Sequence, residues 1–332
     1  MRLFLAMISL LLLPATGFAR DQIRVVGSST VYPFTTAAAE QFGREGKFRT
    51  PIVESTGTGG GFKMFCEGVG SGYPDISDAS RAIKPAETEA CAAHGVKDIR
   101  ELVIGYDGIV VTSSRTAPDF AFSKKQLFLA LAHDVPKNGK LVPNFYTRWK
   151  QIDPALPDVP IEVYGPPPAE GTRDALSELL MEKGCAAFPE YAATYSDADK
   201  RKRACTTMRE DGPFIEVLGG NVMIQKILAD EHALAIFGYN YLEQNGTRIK
   251  AAPVDGVVPS PAAISDGKYG LARDLYIYVK GEHLGQVPGL AEFVQLIASD
   301  AATGPEGYLV LKGLLPLPAK LHDAVKAKAA AL

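Results

Sequence analysis

Three times in this chain, a short β-like run ends in glycine and small hydroxyl residues and continues as an amphipathic, helix-like segment. The three junctions lie at residues 27–30 (Gly-Ser-Ser-Thr), 55–61 (Ser-Thr-Gly-Thr-Gly-Gly-Gly) and 170–172 (Glu-Gly-Thr). Alternation of this kind favours parallel βαβ units. Helix N-termini carry unpaired backbone N–H groups and the positive end of the helix dipole. The pattern therefore predicts an α/β fold that holds a small anion.

The first 19 residues are typical of a secretory signal peptide. Arg2 precedes an apolar run over residues 3–13, and a stretch rich in small residues follows to Ala19. The run is shorter than the ~20 residues that a membrane-spanning helix needs, which disfavours an uncleaved anchor. We predict a signal peptide over residues 1–19 that is cleaved near Ala19, and a mature protein in the periplasm.

The cysteines and the charge limit the classes of function. No pair of the four cysteines has Cys-x-x-Cys spacing, which argues against a redox motif or a zinc site. In an oxidising compartment we expect two disulfides rather than buried free thiols, and the sequence gap favours Cys66 with Cys91 and Cys185 with Cys205. The formal net charge is −3, without a basic stripe for nucleic acid. We expect no cofactor and no metal, and a monomer that holds its anion through local donors and one or two cations.

Two apolar strands that contain glycine predict where the chain crosses between two domains. The first covers residues 103–111 and the second residues 233–239. These crossings predict lobe I over residues 20–108 plus 240–332 and lobe II over residues 109–239. Two crossings form a hinge, and the strand-to-helix junctions of both lobes then face one cleft.

Two junctions have more small residues than a turn requires. One hydroxyl is enough for a helix N-cap, whereas Ser28, Ser29 and Thr30 are consecutive. Three consecutive glycines at residues 59–61 cost conformational entropy, which predicts a close approach to the backbone. The segment lacks the Gly-Lys-Ser/Thr sequence of a nucleotide P-loop.

Asp78 and Arg81 follow a short predicted strand, in a loop. A solvated surface ion pair is one interpretation, and it would contribute little. The other gives each residue a role in anion binding. Arg81 would supply a forked cation for a tetrahedral oxyanion. Asp78 can only accept a hydrogen bond, and so would favour phosphate, which carries a proton, over sulfate, which does not.

In this order, the motifs resemble the periplasmic phosphate-binding protein of the phosphate ABC transporter. Residues 27–34, 55–62, 75–81 and 164–175 carry the resemblance, which extends from about Ile23 to about Pro318. It implies a two-lobed type II periplasmic binding protein, each lobe a doubly wound sheet flanked by helices, joined by a two-strand hinge. It also implies that the protein is not an enzyme, and that it captures inorganic phosphate in the interlobe cleft and delivers it to a membrane permease.

The resemblance also implies a set of ligand-binding residues. Many family members have an arginine before a Ser-Gly-Thr motif in lobe II, whereas this chain has prolines at residues 166–168, so Arg81 is the expected replacement. The phosphate-binding residues expected from the matching positions are Ser29, Thr30, Val31, Thr58, Asp78, Arg81, Gly171 and Thr172.

Glu170 stands where the family has a serine. An ionised glutamate cannot donate a hydrogen bond and would add negative charge beside the ligand. Either Glu170 turns outward and leaves the Gly171 and Thr172 donors intact, or it pairs with Arg173 or weakens phosphate binding.

Three other functions are consistent with parts of the sequence. A protein of the same fold could bind sulfate, molybdate or tungstate, and Asp78 is the residue that discriminates among them. An exported phosphate-ester hydrolase is disfavoured because the five histidines occur singly and no Gly-x-Ser-x-Gly motif is present. An exported sensor or adhesion protein could keep the fold without transport.

Overall fold

A computed structural model describes residues 20–332, and the predicted signal peptide lies outside them. The strands within this range are β1 (Arg24–Gly27), β2 (Ile52–Ser55), β3 (Ile76–Ala79), β4 (Ile99–Ser114), β5 (Asp134–Lys137), β6 (Lys140–Pro143), β7 (Val163–Gly165), β8 (Phe214–Glu216), β9 (Leu234–Gly238), β10 (Ile249–Ala251) and β11 (Ala272–Lys280).

Helices connect most of these strands. They are α1 (Tyr32–Arg44), α2 (Thr58–Phe65), α3 (Pro85–Ala93), α4 (Lys124–Leu131), α5 (Trp149–Ile152), α6 (Gly171–Ala175), α7 (Glu182–Cys185), α8 (Pro189–Thr194), α9 (Ala198–Thr206), α10 (Gly220–Ala229), α11 (Tyr239–Asn245), α12 (Pro261–Ser265), α13 (Leu290–Ile297), α14 (Asp300–Thr303) and α15 (Ala319–Ala330). A π-helical segment (Leu176–Met181) joins α6 to α7, and short 3-10 helices cover Gly281–His283 and Val310–Lys312. In the part of the chain that the structure describes, every helix is too short or too polar to cross a membrane.

The long strand β4 joins two halves of one sheet. The strand order is β2-β1-β3-β11-β4-β9-β7-β8, and β10 also pairs with β4. The first part of β4 pairs with β11, and its last part, from Ile109, pairs with β9 and β10. Each half contains parallel strands: β1 pairs with β2 and β3, and β7 pairs with β8 and β9. The predicted α/β fold with parallel βαβ units is confirmed.

Separate hydrophobic clusters lie under the two halves of the sheet. In lobe I, Phe34, Ala38 and Phe42 of α1 are buried at helical spacing and pack with Phe293 of α13. Burying each such aromatic ring stabilises the fold by about 2–3 kcal/mol. In lobe II, a larger cluster surrounds Trp149, which is fully buried. Each lobe therefore has its own core.

The structure bears on where the chain returns to lobe I. Ile249 of β10 pairs with Ser114 of β4, and Ile264 and Leu271 belong to the lobe II cluster. Only from β11 onwards does the chain pair with β3, inside lobe I. We therefore propose that lobe II extends to about Leu271, beyond the boundary that the sequence predicted at residue 239. Strand β9 suggested that boundary because it is apolar and contains a glycine, as the first crossing strand does. It pairs, however, with the lobe II part of β4.

Two disulfides link helices within the lobes, with the predicted connectivity. Cys66 at the end of α2 bonds Cys91 of α3, and Cys185 of α7 bonds Cys205 of α9. Loops of 25 and 20 residues are closed by these bonds. Each constrains the unfolded chain enough to contribute about 3 kcal/mol in the chain-entropy model. The first bond also holds the C-terminal end of α2, whose N-terminal end is one of the three junctions.

Candidate functional site

The first junction lies between β1 and α1. Helix α1 begins at Tyr32, and its N-cap Val31 makes no side-chain capping bond. Ser28 Oγ instead accepts a hydrogen bond from the Thr30 N–H at 3.2 Å. None of residues 20–332 accepts a hydrogen bond from the Val31 N–H. The hydroxyl run therefore does not serve as an ordinary helix cap, and a backbone donor at the start of α1 stays free for a ligand.

The second junction places the N-terminus of α2 against β1 and β3. Thr58 Oγ1 accepts a hydrogen bond from the Ser80 N–H at 3.2 Å and lies 3.1 Å from Ser80 Oγ. A side chain at Gly61 would collide with the Gly27 backbone and with Ser77 Oγ. The predicted close approach to the glycine run is therefore made, at Gly61, by strand β1 of the protein itself.

Asp78 lies within β3, not in the loop after it as the sequence suggested. The position is covered by α1, so the side chain is 1% exposed. Its Oδ2 accepts a hydrogen bond from Thr35 Oγ1 at 2.8 Å, whereas no atom of residues 20–332 bonds its Oδ1. Burial raises the pKa of Asp78 to about 7, although the bonds from Thr35 and Ser28 oppose the shift.

Arg81 does not pair with Asp78. Its Nη1 and Nη2 donate to the two carboxylate oxygens of Glu87 at 2.8 and 2.6 Å, and Nη1 also donates to the Ala82 carbonyl. The guanidinium lies 5.5 Å from the ring centre of Phe62. Its Nη2 is 4.0 Å from where a Cβ on Gly59 would stand. Arg81 is thus beside the N-terminus of α2 but is largely engaged by Glu87.

The third junction, at the start of α6, lies against the first. A Cβ on Gly171 would be 3.4 Å from the Ser29 carbonyl oxygen and from Thr30 Cα. Gly171 and Thr30 are far apart in the chain, yet the first and third junctions meet in the structure. The start of α6, with its unpaired N–H groups, therefore lies close to the start of α1.

Glu170 accepts a hydrogen bond from the Gly219 N–H at 2.8 Å through Oε1. Gly219 is the N-cap of α10, so the glutamate satisfies a neighbouring helix N-terminus. Arg173 bonds Glu216 at 2.6 Å and the Pro166 carbonyl at 2.9 Å, and so does not pair with Glu170. The structure therefore excludes the pairing of Glu170 with Arg173, but Glu170 still lines the cavity described below and is not turned away from it.

A cavity of about 240 Å³ lies between the lobes and brings three of the predicted residues together. Thr30, Gly171 and Thr172 line it. The other residues that line it are Pro33, Phe34, Asp107, Glu170, Gly238, Asn240, Tyr241, Lys312 and Gly313. The other five predicted residues are not part of its lining: Ser29 and Val31, which flank Thr30 in the chain, and Thr58, Asp78 and Arg81, on the β3 and α2 side of the first junction.

Arg273 contacts the first junction but was not among the residues expected from the sequence. This residue lies on β11 and is paired in register with Asp107 of β4. Its Nη2 donates to Thr30 Oγ1 at 2.9 Å, and its side chain is 9% exposed. Burial raises the pKa of Asp107, and the charge of Arg273 opposes that shift. Arg273 precedes the apolar residues 275–279 of β11, and a charged residue at the start of a strand is the signal that could have found it.

Comparisons with known proteins agree with this architecture. A family profile described as "PBP superfamily domain" matches residues 14–301. Protein SphX of Synechococcus elongatus is 31% identical over 312 residues, which cover 92% of this chain and 80% of that protein. The phosphate-binding protein PstS of Staphylococcus saprophyticus is 29% identical over 320 residues, 94% of this chain and 86% of that protein.

A solved structure extends the similarity to three dimensions. The crystal structure of a possible phosphate binding protein from Planctomyces limnophilus has a TM-score of 0.73 and 26% identity, and the match covers 93% of this chain and 98% of that one. The type II periplasmic binding fold expected from the motifs is confirmed. The chain therefore belongs to the PBP superfamily, together with relatives that are named phosphate-binding proteins.

Proposed function

We propose that this protein is an exported solute-binding protein that captures inorganic phosphate in the cleft between its lobes and delivers it to the permease of an ABC transporter. The names of the relatives PstS and of the Planctomyces limnophilus protein support phosphate as the ligand. Because these relatives are binding proteins, we infer that this chain is not an enzyme. The predicted signal peptide and the named relatives support a periplasmic location.

The anion would bind where the first and third junctions meet. The Val31 N–H, the Thr30 hydroxyl and the N–H groups of Gly171 and Thr172 provide donors from both lobes, and the Ser29 hydroxyl joins them when the anion replaces the Asp174 carboxylate that accepts its proton. Oriented backbone donors at helix N-termini suit a small oxyanion. A ligand held from both sides would stabilise contact between the lobes. We propose that Thr58 and Arg81 complete the site from the start of α2.

The environment of the Asp78 carboxyl group is the observation that supports phosphate as the ligand. Its carboxyl group is buried next to the first junction, where its backbone carbonyl accepts a hydrogen bond from the Ser28 N–H at 3.1 Å. One carboxylate oxygen is satisfied by Thr35 and the other has no partner among the described residues. A buried oxygen without a hydrogen-bond partner costs free energy, so a ligand that donates a hydrogen bond to it gains affinity. Phosphate at neutral pH carries such a proton.

Calorimetric titration of the mature protein against phosphate, sulfate, molybdate and tungstate tests this proposal. We expect tight binding of phosphate and weaker binding of sulfate by about 5- to 100-fold or more, because a desolvated polar group without a partner costs about 1–3 kcal/mol. Asp78→Asn should reduce the difference between the affinities for phosphate and for sulfate. The control is Asp158→Asn, which alters a surface ion pair with Arg148. Equal binding of phosphate and sulfate by the wild-type protein would refute the role of Asp78.

A further inference from the structure

Arg273 joins three parts of the molecule. Its Nη2 donates to Thr30 Oγ1 at 2.9 Å, at the first junction of lobe I. Its Nε and Nη2 are each 3.4 Å from Oδ2 of Asp107, on the strand that connects the lobes. Its Nη1 bonds the carboxylate of Glu178, which belongs to the π-helical segment of lobe II. The guanidinium is therefore the point at which the first junction, the connecting strand and lobe II meet.

The two carboxylates around Arg273 are held differently. Asp107 lies opposite Arg273 in the β4–β11 register, and its side chain is 17% exposed. Glu178 is 45% exposed and comes from the other lobe. One buried cation is already matched by the Asp107 carboxylate, so Glu178 adds a second negative charge to the cluster. An anion can replace Glu178 as the partner of Arg273 without any change in the pairing of β4 with β11.

A second carboxylate of the same helical segment also contacts lobe I. Asp174 of α6 accepts a hydrogen bond from the Ser29 hydroxyl. Asp174 and Glu178 are four residues apart, and residues at that spacing share a helix face. Asp174 accepts its hydrogen bond from Ser29, which is next to Thr30 in the chain, and Glu178 accepts its bond from the guanidinium that also donates to Thr30. Carboxylates and phosphates accept the same kinds of charge-assisted hydrogen bond.

We propose that Arg273 is a binding residue of the anion site, and that the carboxylate of Glu178 competes with the anion for its guanidinium. This inference rests on the proposed function. It gives the site a forked cation on β11, in addition to Arg81, in a chain that has prolines at residues 166–168 where the family has its lobe II arginine. It also makes Glu178 a residue that lowers the affinity, because the anion must displace it from Nη1.

The test is a double-mutant cycle of phosphate affinity, measured by calorimetry on the mature protein. Arg273→Gln should weaken phosphate binding by about 30-fold or more, as expected for a charged hydrogen bond. Glu178→Gln should tighten binding by about 3- to 10-fold, because the amide is a weaker competitor for the guanidinium. In the Arg273→Gln background, Glu178→Gln should have no effect, because the competition is then absent.

Two further variants keep the result interpretable. Glu182→Gln lies one turn beyond Glu178 and breaks only a contact with Lys202 at 3.0 Å, so the phosphate affinity should not change. Arg273→Lys keeps the charge but loses the fork, and its affinity should fall between those of Arg273→Gln and the wild type. Melting curves of every variant identify those that fold.

The outcomes separate this inference from the proposed function. If the wild type binds phosphate and Arg273→Gln and Arg273→Lys bind it equally well, Arg273 is not in the site and the inference fails. It also fails if Glu178→Gln tightens binding as much in the Arg273→Gln background, because Glu178 would then act only through general charge repulsion. A wild-type protein that binds no phosphate overturns the proposed function as well, and that result needs no variant.

Discussion

At the scale of single residues, burial decides what each charged group can do. Asp78 and Arg81 are three residues apart in the chain, and the sequence suggested a pair or a shared ligand. The structure buries Asp78 in β3 beneath α1 and pairs Arg81 with Glu87. The raised pKa of Asp78, about 7, follows from that burial and makes two of its properties depend on pH.

The stability of the ligand-free protein should fall as the pH rises through the range between the two pKa values of Asp78. The carboxyl titrates near 3.8 in the unfolded chain and near 7 in the folded protein, so between these values the folded state binds the extra proton. Asp78→Asn removes this penalty. The difference in free energy of unfolding between the variant and the wild type should increase by about 2 kcal/mol from pH 5 to pH 8, in favour of the variant. Urea unfolding at both pH values measures it, and a difference independent of pH would contradict it.

The preference for phosphate over sulfate should also depend on pH. Above pH 7, Asp78 is ionised and can only accept a hydrogen bond, which favours an anion with a proton. Below pH 6, Asp78 carries the proton itself and can donate to sulfate. We expect the ratio of the two dissociation constants to shrink by about 10-fold or more from pH 8 to pH 5. Calorimetric titrations at the two pH values measure it. In Asp78→Asn the ratio should be nearly constant, and a constant ratio in the wild type would exclude this role.

At the scale of elements, the glycines of α2 differ in the space around them. A Cβ on Gly61 would collide with the Gly27 backbone, whereas one on Gly60 would be 3.4 Å from Thr56 Cβ, an ordinary contact. The two neighbouring glycines of one helix therefore have different roles.

Alanine substitution at these two positions should separate packing from propensity. Gly61→Ala should destabilise the ligand-free protein by about 2–4 kcal/mol, because α2 must move away from β1. Gly60→Ala lies in the same helix without such a clash and should be neutral or stabilising by up to about 1 kcal/mol. Thermal unfolding of both variants without ligand measures the difference. Equal effects would mean that the packing of α2 on β1 does not constrain Gly61.

At the scale of the whole molecule, the lobes are connected by two long strands and meet across the cleft. Strands β4 and β11 pair over most of their length, and Ser29 and Arg273 contact lobe II side chains. A ligand held by donors from both lobes should therefore stabilise both of them.

Calorimetric unfolding with and without phosphate tests this coupling. At a free phosphate concentration 100 times the dissociation constant, a site made by both lobes should add about 2.7 kcal/mol to the free energy of unfolding. The melting temperature should rise by several degrees for both lobes together. Sulfate at the same concentration is the control and should leave it unchanged. A rise confined to one of two transitions would place the site in a single lobe.

Local patterns in the sequence were enough to predict the α/β fold and the disulfide pairs. Each depends on neighbouring residues: the helical spacing of Phe34 and Phe42, the small residues at the junctions, and the short separation of the paired cysteines. Arg273 could not be predicted in this way, because its contact with Thr30 joins residues 243 positions apart. The return of the chain near Leu271 is likewise a matter of strand pairing between distant segments.

The sequence by itself determined the three junctions, their small residues and the family resemblance, because helix starts and turn chemistry are encoded locally. Only the tertiary structure decided which charges are free and which are paired. It placed Glu170 on the N-terminus of α10, paired Arg81 with Glu87, and brought Arg273 to Thr30. The physical reason is that desolvation and ion pairing depend on which distant segments pack together, and the packing of β11 against β4 set them here.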